Sequence, residues 1–213
     1  ESSCSQTVNT KIIDLRTDVL TKQSNEMMNF MMEAEVGDDV FEEDPTTIAL
    51  QDKVSKLLGK EAALFVLSGT MGNLLCVMTH CNERDSEVIL GDQSHIHIWE
   101  QGNIAQLGGI HSHTLATLQD GTFDLEEVKA AVRPYNVHLP VTKLVCIENT
   151  HNQLGGKILP LQWLDKVTPG QMDKTFLLRG LKAAAGLSRL LYHTATRSTP
   201  NDPFYSASSE IFI

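Results

Sequence analysis

An uninterrupted apolar run followed by a glycine turn constrains the fold of this chain more than any other feature. Residues 62–67 are all apolar, Ser68-Gly69-Thr70 interrupts them, and an apolar helical pattern opens near Thr70. This order predicts a buried strand that leads directly into a helix. The glycines at positions 69 and 72 let a ligand approach the backbone where the first helical amides point outward. The stretch is therefore typical of a phosphate-binding turn, although a tight turn without a ligand explains the two glycines equally well.

Strand and helix patterns alternate along the chain beyond this turn. Three further runs have the composition of strands: Val88-Ile89-Leu90, Gly109 to Leu115, and Leu144 to Ile147. Between them, one helical pattern starts near His95 and another runs from Asp124 to Arg133. This alternation predicts an α/β fold with a parallel sheet, whose ligands bind beyond the carboxyl ends of the strands. Ser68, His95 and His151 fall at or just beyond such ends and are therefore candidate site residues.

Two helices are predicted ahead of the apolar run. Ser24 suits the N-cap of a helix that reaches about Glu35, and its methionines indicate a core face or a subunit interface. Asp44-Pro45 begins a second helix that ends at Gly59. One buried face of this second helix is expected from the spacing of four residues, namely Leu50, Val54, Leu57 and Leu58.

The charge balance narrows the range of partners. Seventeen basic and 27 acidic residues leave a formal net charge of −10, which disfavours nucleic acid and anionic membranes as partners. No run of 18 apolar residues predicts a membrane span, and the first ten residues lack the features of a secretory signal. The four cysteines form no CxxC pair, so buried free thiols in a reducing compartment, the cytoplasm, are expected.

Five sequence blocks resemble, in order and spacing, the low-specificity L-threonine aldolases. The blocks are residues 13–18, 34–40, 68–73, 91–96 and 148–152. These aldolases belong to the β-eliminating lyase group of fold-type-I pyridoxal-phosphate enzymes. The resemblance covers residues 11–167 and implies the large domain of the aspartate aminotransferase fold, a three-layer α/β/α arrangement that is incomplete and lacks the small C-terminal domain. Residues 1–10 are expected to be disordered, and residues 168–213 to form a divergent tail with a helix near 177–191 followed by disorder.

The resemblance implies pyridoxal 5′-phosphate as cofactor and assigns residues to it. Ser68, Gly69 and Thr70 would hold the cofactor phosphate, which agrees with the chemistry of the turn. His95 matches a histidine that stacks on the cofactor ring. No metal is expected in this site.

The resemblance also implies a substrate and a reaction. His151 matches a histidine beside the substrate hydroxyl, where a base that titrates near neutrality suits the removal of a proton. Thr17 matches a serine that contacts the substrate carboxylate, and Glu100 matches an acidic residue near that pocket. The implied reaction is retro-aldol cleavage of L-threonine or L-allo-threonine to glycine and acetaldehyde, in threonine catabolism and glycine biosynthesis. Full-length relatives are expected to form dimers or tetramers.

Beyond Val167 the resemblance ends. The family would continue with an Asp-Gly-Ala-Arg motif and then a Ser-Lys pair whose lysine forms the Schiff base, and neither follows Val167 in this sequence. Lys174 and Lys182 are the lysines of the tail, and Lys182 lacks the preceding serine and the strand context. We therefore expect the chain to be inactive or weakly active and poorly soluble without a partner. An alternative exon, a frame change or a decayed gene copy would explain the abrupt junction.

Two other functions are compatible with the sequence. The chain would act as a non-catalytic partner of a full-length aldolase subunit if it paired through Met27–Met32 and residues 37–43. Metal binding by His95-x-His97 and His111-x-His113 is the weaker hypothesis, because the sequence shows no acid or thiolate beside these pairs.

Overall fold

The computed structural model describes residues 12–13, 20–133, 135–167 and 210–212, the last of these by backbone alone. The helices are α1 Asn25–Glu33, α2 Pro45–Leu58, α3 Gly69–His80, α4 His95–Ile98, α5 Asn103–Gln106, α6 Leu125–Ala131 and α7 Leu161–Val167. The strands are β1 Ala62–Leu64, β2 Ser86–Gly91, β3 His111–Leu115, β4 Val141–Val145 and β5 Glu210–Phe212. A short 3₁₀ helix, Asp39–Phe41, lies between α1 and α2.

A parallel sheet of three strands in the order β3-β2-β4 forms the centre of the fold. Glu87 of β2 is in register with His111 of β3 and with Thr142 of β4. All six residues of β2 are buried, as expected for a central strand covered on both faces. The predicted strand around residues 88–90 is confirmed, whereas β4 begins three residues before and ends two residues before the predicted run 144–147.

Helices cover both faces of this sheet, because alternate residues of a strand point to opposite sides. On one face Val88 and Leu90 pack with Val77 of α3 and Ile104 of α5. On the other face Ile89 packs in a cluster that includes residues of α6 and α7, namely Val128 and Val167. The predicted three-layer α/β/α arrangement is therefore confirmed.

Strand β1 corrects the prediction of a buried strand at residues 62–67. The strand is only three residues long, and it pairs in parallel with β5 outside the three-stranded sheet. Leu64 is 44% exposed and Leu67 is 89% exposed. Val66 is the buried residue of this run, and most of the others are exposed because β1 lies outside the three-stranded sheet that the two helical layers cover. The turn after it is nevertheless the predicted one, since α3 begins at Gly69.

The two N-terminal helices begin as the sequence predicts, but their apolar faces are not fully buried. Ser24 Oγ accepts the Met27 N–H, and Asp44 accepts the Thr47 N–H ahead of Pro45. Gly59 ends α2 in the left-handed conformation, with φ +63°. Of the four residues of the predicted face of α2, Val54 and Leu58 are half-buried, whereas Leu50 is 38% exposed and Leu57 is 78% exposed, so that face is only partly buried. The reason is that spacing defines a stripe of side chains and does not supply the layer that would cover it.

The thiols of the described residues have the expected environment. Cys81 and Cys146 are buried thiols, and Cys76 is a half-buried thiol. Burial raises the pKa of the Cys81 thiol to about 12 and that of Cys146 well above its usual range. The two buried thiols are therefore protonated and unreactive at neutral pH.

Several predictions fall on residues outside the described part of the chain. These include Thr17, the segment 1–10, Lys174, Lys182 and the helix near 177–191. Within the described residues, no helix is both long and apolar enough to cross a bilayer.

Candidate functional site

The turn after β2 positions the first candidate histidine. Asp92 accepts the Thr117 N–H at 2.8 Å, and this hydrogen bond is the largest of the influences that lower the pKa of the Asp92 carboxyl. Ser94 Oγ donates to the Gly91 carbonyl at 2.7 Å. A Cβ atom at Gly91 would lie 2.7 Å from Thr117 Oγ1, so a larger residue there would require the Thr117 side chain to move. The turn is thereby fixed between β2 and β3, and it delivers His95 to the carboxyl edge of the sheet.

Glu148 connects this turn to the segment after β4. Its Oε2 atom accepts the His95 N–H at 2.8 Å, and its Oε1 atom accepts the Asn152 N–H at 2.8 Å. The same Oε2 atom lies 4.0 Å from His151 Nε2. One carboxylate therefore brings the two candidate histidines, 56 residues apart in sequence, into the same site.

His151 is almost completely enclosed. The residue is 2% exposed, and its Nδ1 atom has no hydrogen-bond partner in the described part of the chain. Its main chain pairs with Lys157, whose carbonyl accepts the His151 N–H at 2.8 Å. Gly121 lies against the imidazole, since a Cβ there would be 3.5 Å from His151 Cδ2. The ring is therefore held by packing and by its backbone rather than by a hydrogen bond of its own.

Glu100 connects His95 to helix α3. It is 3% exposed, and its Oε1 atom accepts the Asn73 amide at 2.6 Å and lies 3.6 Å from His95 Nε2. Its Oε2 atom accepts the Asn103 amide at 3.2 Å. Glu100, expected to lie near the substrate, is thus also a buried support for the His95 ring.

Helix α3 carries the predicted phosphate-binding turn on its first residues. Ser68 Oγ accepts the Met71 N–H at 3.1 Å, which leaves its hydroxyl proton free to donate outward. Gly69 and Thr70 occupy the first helical turn, where amides have no acceptor within the helix. Two amides, a hydroxyl and the positive end of a 12-residue helix fit a phosphate group. Asn73, one turn further along α3, reaches Glu100 and so joins this turn to His95.

Two side chains of this network were given no role by the sequence interpretation. Asn73 lies in residues 68–73 and Glu148 lies in residues 148–152, which are two of the blocks that resemble the aldolase family. A signal for Glu148 existed, because it is an acidic residue at the carboxyl end of a buried parallel strand. No comparable signal marked Asn73, whose partner lies 27 residues away.

The histidine pair of β3 has a neighbouring acid that the sequence did not reveal. Glu87 lies 2.8 Å from His111 Nδ1, while Arg133 Nη2 contacts both Glu87, at 2.9 Å, and His113 Nδ1, at 3.1 Å. Because a guanidinium only donates, it adds positive charge where a metal ion would have to bind. Within the residues that the structure describes, no group of three or more His, Cys, Asp or Glu side chains is arranged to hold a metal.

Two surface cavities lie elsewhere on the molecule. One is bordered by Phe123, Lys129 and Trp163, and the other by Ile48 and Ala63. Ser68, His95 and His151 border neither of them. Hydrogen bonds, rather than the wall of either cavity, therefore define the candidate site.

The three layers, and a candidate site at the carboxyl edge of a parallel sheet, agree with the large domain of the fold-type-I class that the resemblance implied. Two solved structures share this fold. One is described as an L-allo-threonine aldolase of Listeria monocytogenes, with a TM-score of 0.53, 20% identity, and coverage of 75% of this chain and 44% of that chain. The other is an aromatic amino acid beta-eliminating lyase/threonine aldolase of an Exiguobacterium species, with a TM-score of 0.54 and the same identity and coverage.

The family model for beta-eliminating lyases matches residues 14–173, and the chain belongs to that family. Low-specificity L-threonine aldolase 1 of Arabidopsis thaliana is 49% identical over 203 residues, which cover 94% of this chain and 55% of that protein. The low specificity L-threonine aldolase of Escherichia coli K12 is 44% identical over 153 residues, covering 72% of this chain and 45% of that protein. The chain thus spans about half the length of these relatives.

Proposed function

We propose that the chain is the cofactor-binding part of a pyridoxal-phosphate-dependent threonine aldolase. The reaction is cleavage of L-threonine or L-allo-threonine, small amino-acid substrates, to glycine and acetaldehyde. The observation that carries the proposal is the pair of bonds from Glu148, which joins His95 to the segment of His151 at the sheet edge. Family membership supports the same chemistry.

Each residue of the site has a part in this proposal. Ser68 and the amides of Gly69 and Thr70 bind the cofactor phosphate, and His95 stacks on the cofactor ring. Pyridoxal phosphate, when bound, supplies a pyridine ring that accepts the electron pair of the breaking Cα–Cβ bond. His151 takes the proton of the substrate hydroxyl onto its imidazole, and the Glu148 carboxylate lies 4.0 Å from the His151 Nε2 atom.

The substrate carboxylate needs its own partners. Thr17 and Glu100 are proposed to lie near it, Thr17 through its hydroxyl. Glu100 is buried and accepts hydrogen bonds from the side-chain amides of Asn73 and Asn103. It therefore contributes to substrate binding indirectly, because it holds the His95 ring in position.

Turnover by this chain alone is proposed to be weak or absent, because no Ser-Lys pair that could supply the Schiff-base lysine follows Val167. A cytoplasmic location is proposed on the strength of its free, buried thiols. The full-length protein is proposed to act as a dimer or tetramer in threonine catabolism and glycine biosynthesis.

Titration with pyridoxal phosphate tests the proposal. We expect a saturable change in cofactor absorbance, and we expect Ser68→Ala to weaken binding about tenfold because one charge-assisted hydrogen bond to phosphate is lost. Borohydride reduction followed by peptide mapping, with a coupled assay for acetaldehyde, reports on turnover. Absence of saturable binding would refute cofactor binding, whereas a stoichiometric adduct on Lys174 or Lys182 with acetaldehyde release would refute the weak turnover.

A second candidate function rests on the exposed apolar side chains of α1. Met27, Phe30 and Met32 are 56%, 71% and 76% exposed. We infer that such a face suits a non-catalytic partner that pairs with a full-length aldolase subunit through α1 and residues 37–43. Co-expression with a full-length aldolase and size-exclusion chromatography tests this idea, and failure to co-elute would refute it.

A further inference from the structure

We propose that Glu148 is a positioning residue that sets the separation between the two site histidines. The proposal rests on the proposed function for the roles of His95 and His151, but the contacts themselves are properties of this chain. Each oxygen of the carboxylate accepts a different main-chain amide, one at the start of α4 and one just after His151. A single side chain therefore determines how the two segments lie relative to each other.

The chemistry of the two contacts requires a carboxylate. Both groups that face Glu148 are N–H donors, so both side-chain oxygens must accept. A glutamine has one oxygen and one NH₂ group, and the NH₂ group would face an N–H donor. Glu148→Gln therefore loses one of the two contacts whichever way its amide is turned. Glu148→Asp keeps two acceptors on a side chain that is one methylene shorter.

The contacts of Glu148 show how it can affect the two histidine rings. His151 Nε2 is 4.0 Å from Oε2, beyond hydrogen-bond distance, so Glu148 acts on the His151 ring through the backbone of Asn152 and through its charge. The His95 ring is supported separately by Glu100. Loss of the hydrogen bonds from the His95 and Asn152 amides to Glu148 should therefore displace the two segments relative to each other. The contact between Glu100 and the His95 ring should persist.

Amide hydrogen exchange on the full 213-residue chain tests the two Glu148 hydrogen bonds without any cofactor. In Glu148→Gln we expect the amide of His95 or Asn152 to exchange at least about tenfold faster, because it loses a hydrogen bond to a charged acceptor. Amides of β2 should keep their protection, which shows that the chain stays folded. Glu126→Gln, which removes a surface carboxylate of α6, is the matched control and should change neither site amide.

Ligand binding then separates positioning from stability. Inorganic phosphate is expected to bind at the turn of Ser68 alone, so its affinity should be unchanged in Glu148→Gln. Pyridoxal phosphate should bind about tenfold more weakly, with a reduced induced circular dichroism band. Glu148→Asp should recover part of that band. If the parent chain binds no pyridoxal phosphate, the proposed function is refuted. Amide exchange still tests whether Glu148 positions the two segments. Unchanged exchange at both amides, or equal loss of phosphate and pyridoxal phosphate affinity, would overturn the proposal.

Discussion

At the scale of single residues, a buried carboxylate distant from the candidate site organises the other end of the sheet. Glu87 is fully buried and contacts His111 at 2.8 Å, Arg133 at 2.9 Å and the Thr142 hydroxyl at 2.9 Å. Because the guanidinium can only donate, His113 Nδ1 accepts from Arg133, and His113 carries its proton on Nε2 when neutral. One side chain thus joins β2, β3, β4 and the end of α6.

Removal of this carboxylate should be costly. We expect Glu87→Ala to lower the free energy of unfolding by about 3 kcal/mol, because Arg133 and its neighbours lose a buried acceptor. Urea unfolding followed by circular dichroism measures the change. Glu126→Ala, which breaks the exposed pair with Lys129, is the control and should cost less than about 0.5 kcal/mol. Equal effects of the two variants would show that the Glu87 network contributes little.

At the scale of elements, the turn between β2 and α4 makes stability depend on pH. Hydrogen bonds from Thr117, the N–H first, hold the pKa of Asp92 below its usual range. A carboxyl whose pKa is lower in the folded chain stabilises that fold above its unfolded pKa. This stabilisation is lost as pH falls through the folded pKa, from roughly pH 4 downward.

Asp92→Asn should therefore make the stability of the chain less dependent on pH under acidic conditions. We expect the thermal midpoint of the variant to fall less steeply than that of the parent chain below about pH 4, with a lower midpoint at neutral pH. Differential scanning calorimetry across pH measures both quantities. An unchanged slope would mean that the turn does not depend on the ionised carboxylate.

Local chemistry explains which elements were predictable. The caps at Ser24 and Asp44 are short-range interactions, so sequence alone located the starts of α1 and α2. The burial of residues 62–67 and of Leu57 depends on which layers cover them, and periodicity carries no such information. The positions of His95 and His151 beyond strand ends were predictable from the alternating pattern. The connection of these histidines through Glu148 was not predictable, because the hydrogen bond from His95 to Glu148 joins residues that are 53 positions apart in sequence.

At the scale of the whole molecule, apolar surface should govern behaviour in solution. Phe30, Met31 and Met32 of α1 are more than 60% exposed, as are Val40 and Phe41 of the loop that follows. Asp44 fixes this loop by accepting the amides of Gly37 and Thr47. The loop is therefore presented in one conformation, which favours association.

Substitution of this surface should increase solubility. We expect the double variant Phe30→Ser, Met32→Gln to shift the chain from large assemblies toward smaller species, because each change removes exposed apolar area. Light scattering after size-exclusion chromatography measures the shift. Asp52→Asn on the exposed surface of α2 serves as control. A parent chain that is already monomeric and soluble would contradict the expectation.

The central claim is that one site contains both the phosphate-binding turn and the two histidines. Two-dimensional NMR of the isotopically labelled chain during titration with pyridoxal phosphate tests it most directly. We expect the resonances of Gly69, Thr70, His95 and His151 to shift together and to fit one dissociation constant. Shifts confined to the α3 turn, with both histidines unaffected at saturation, would contradict it.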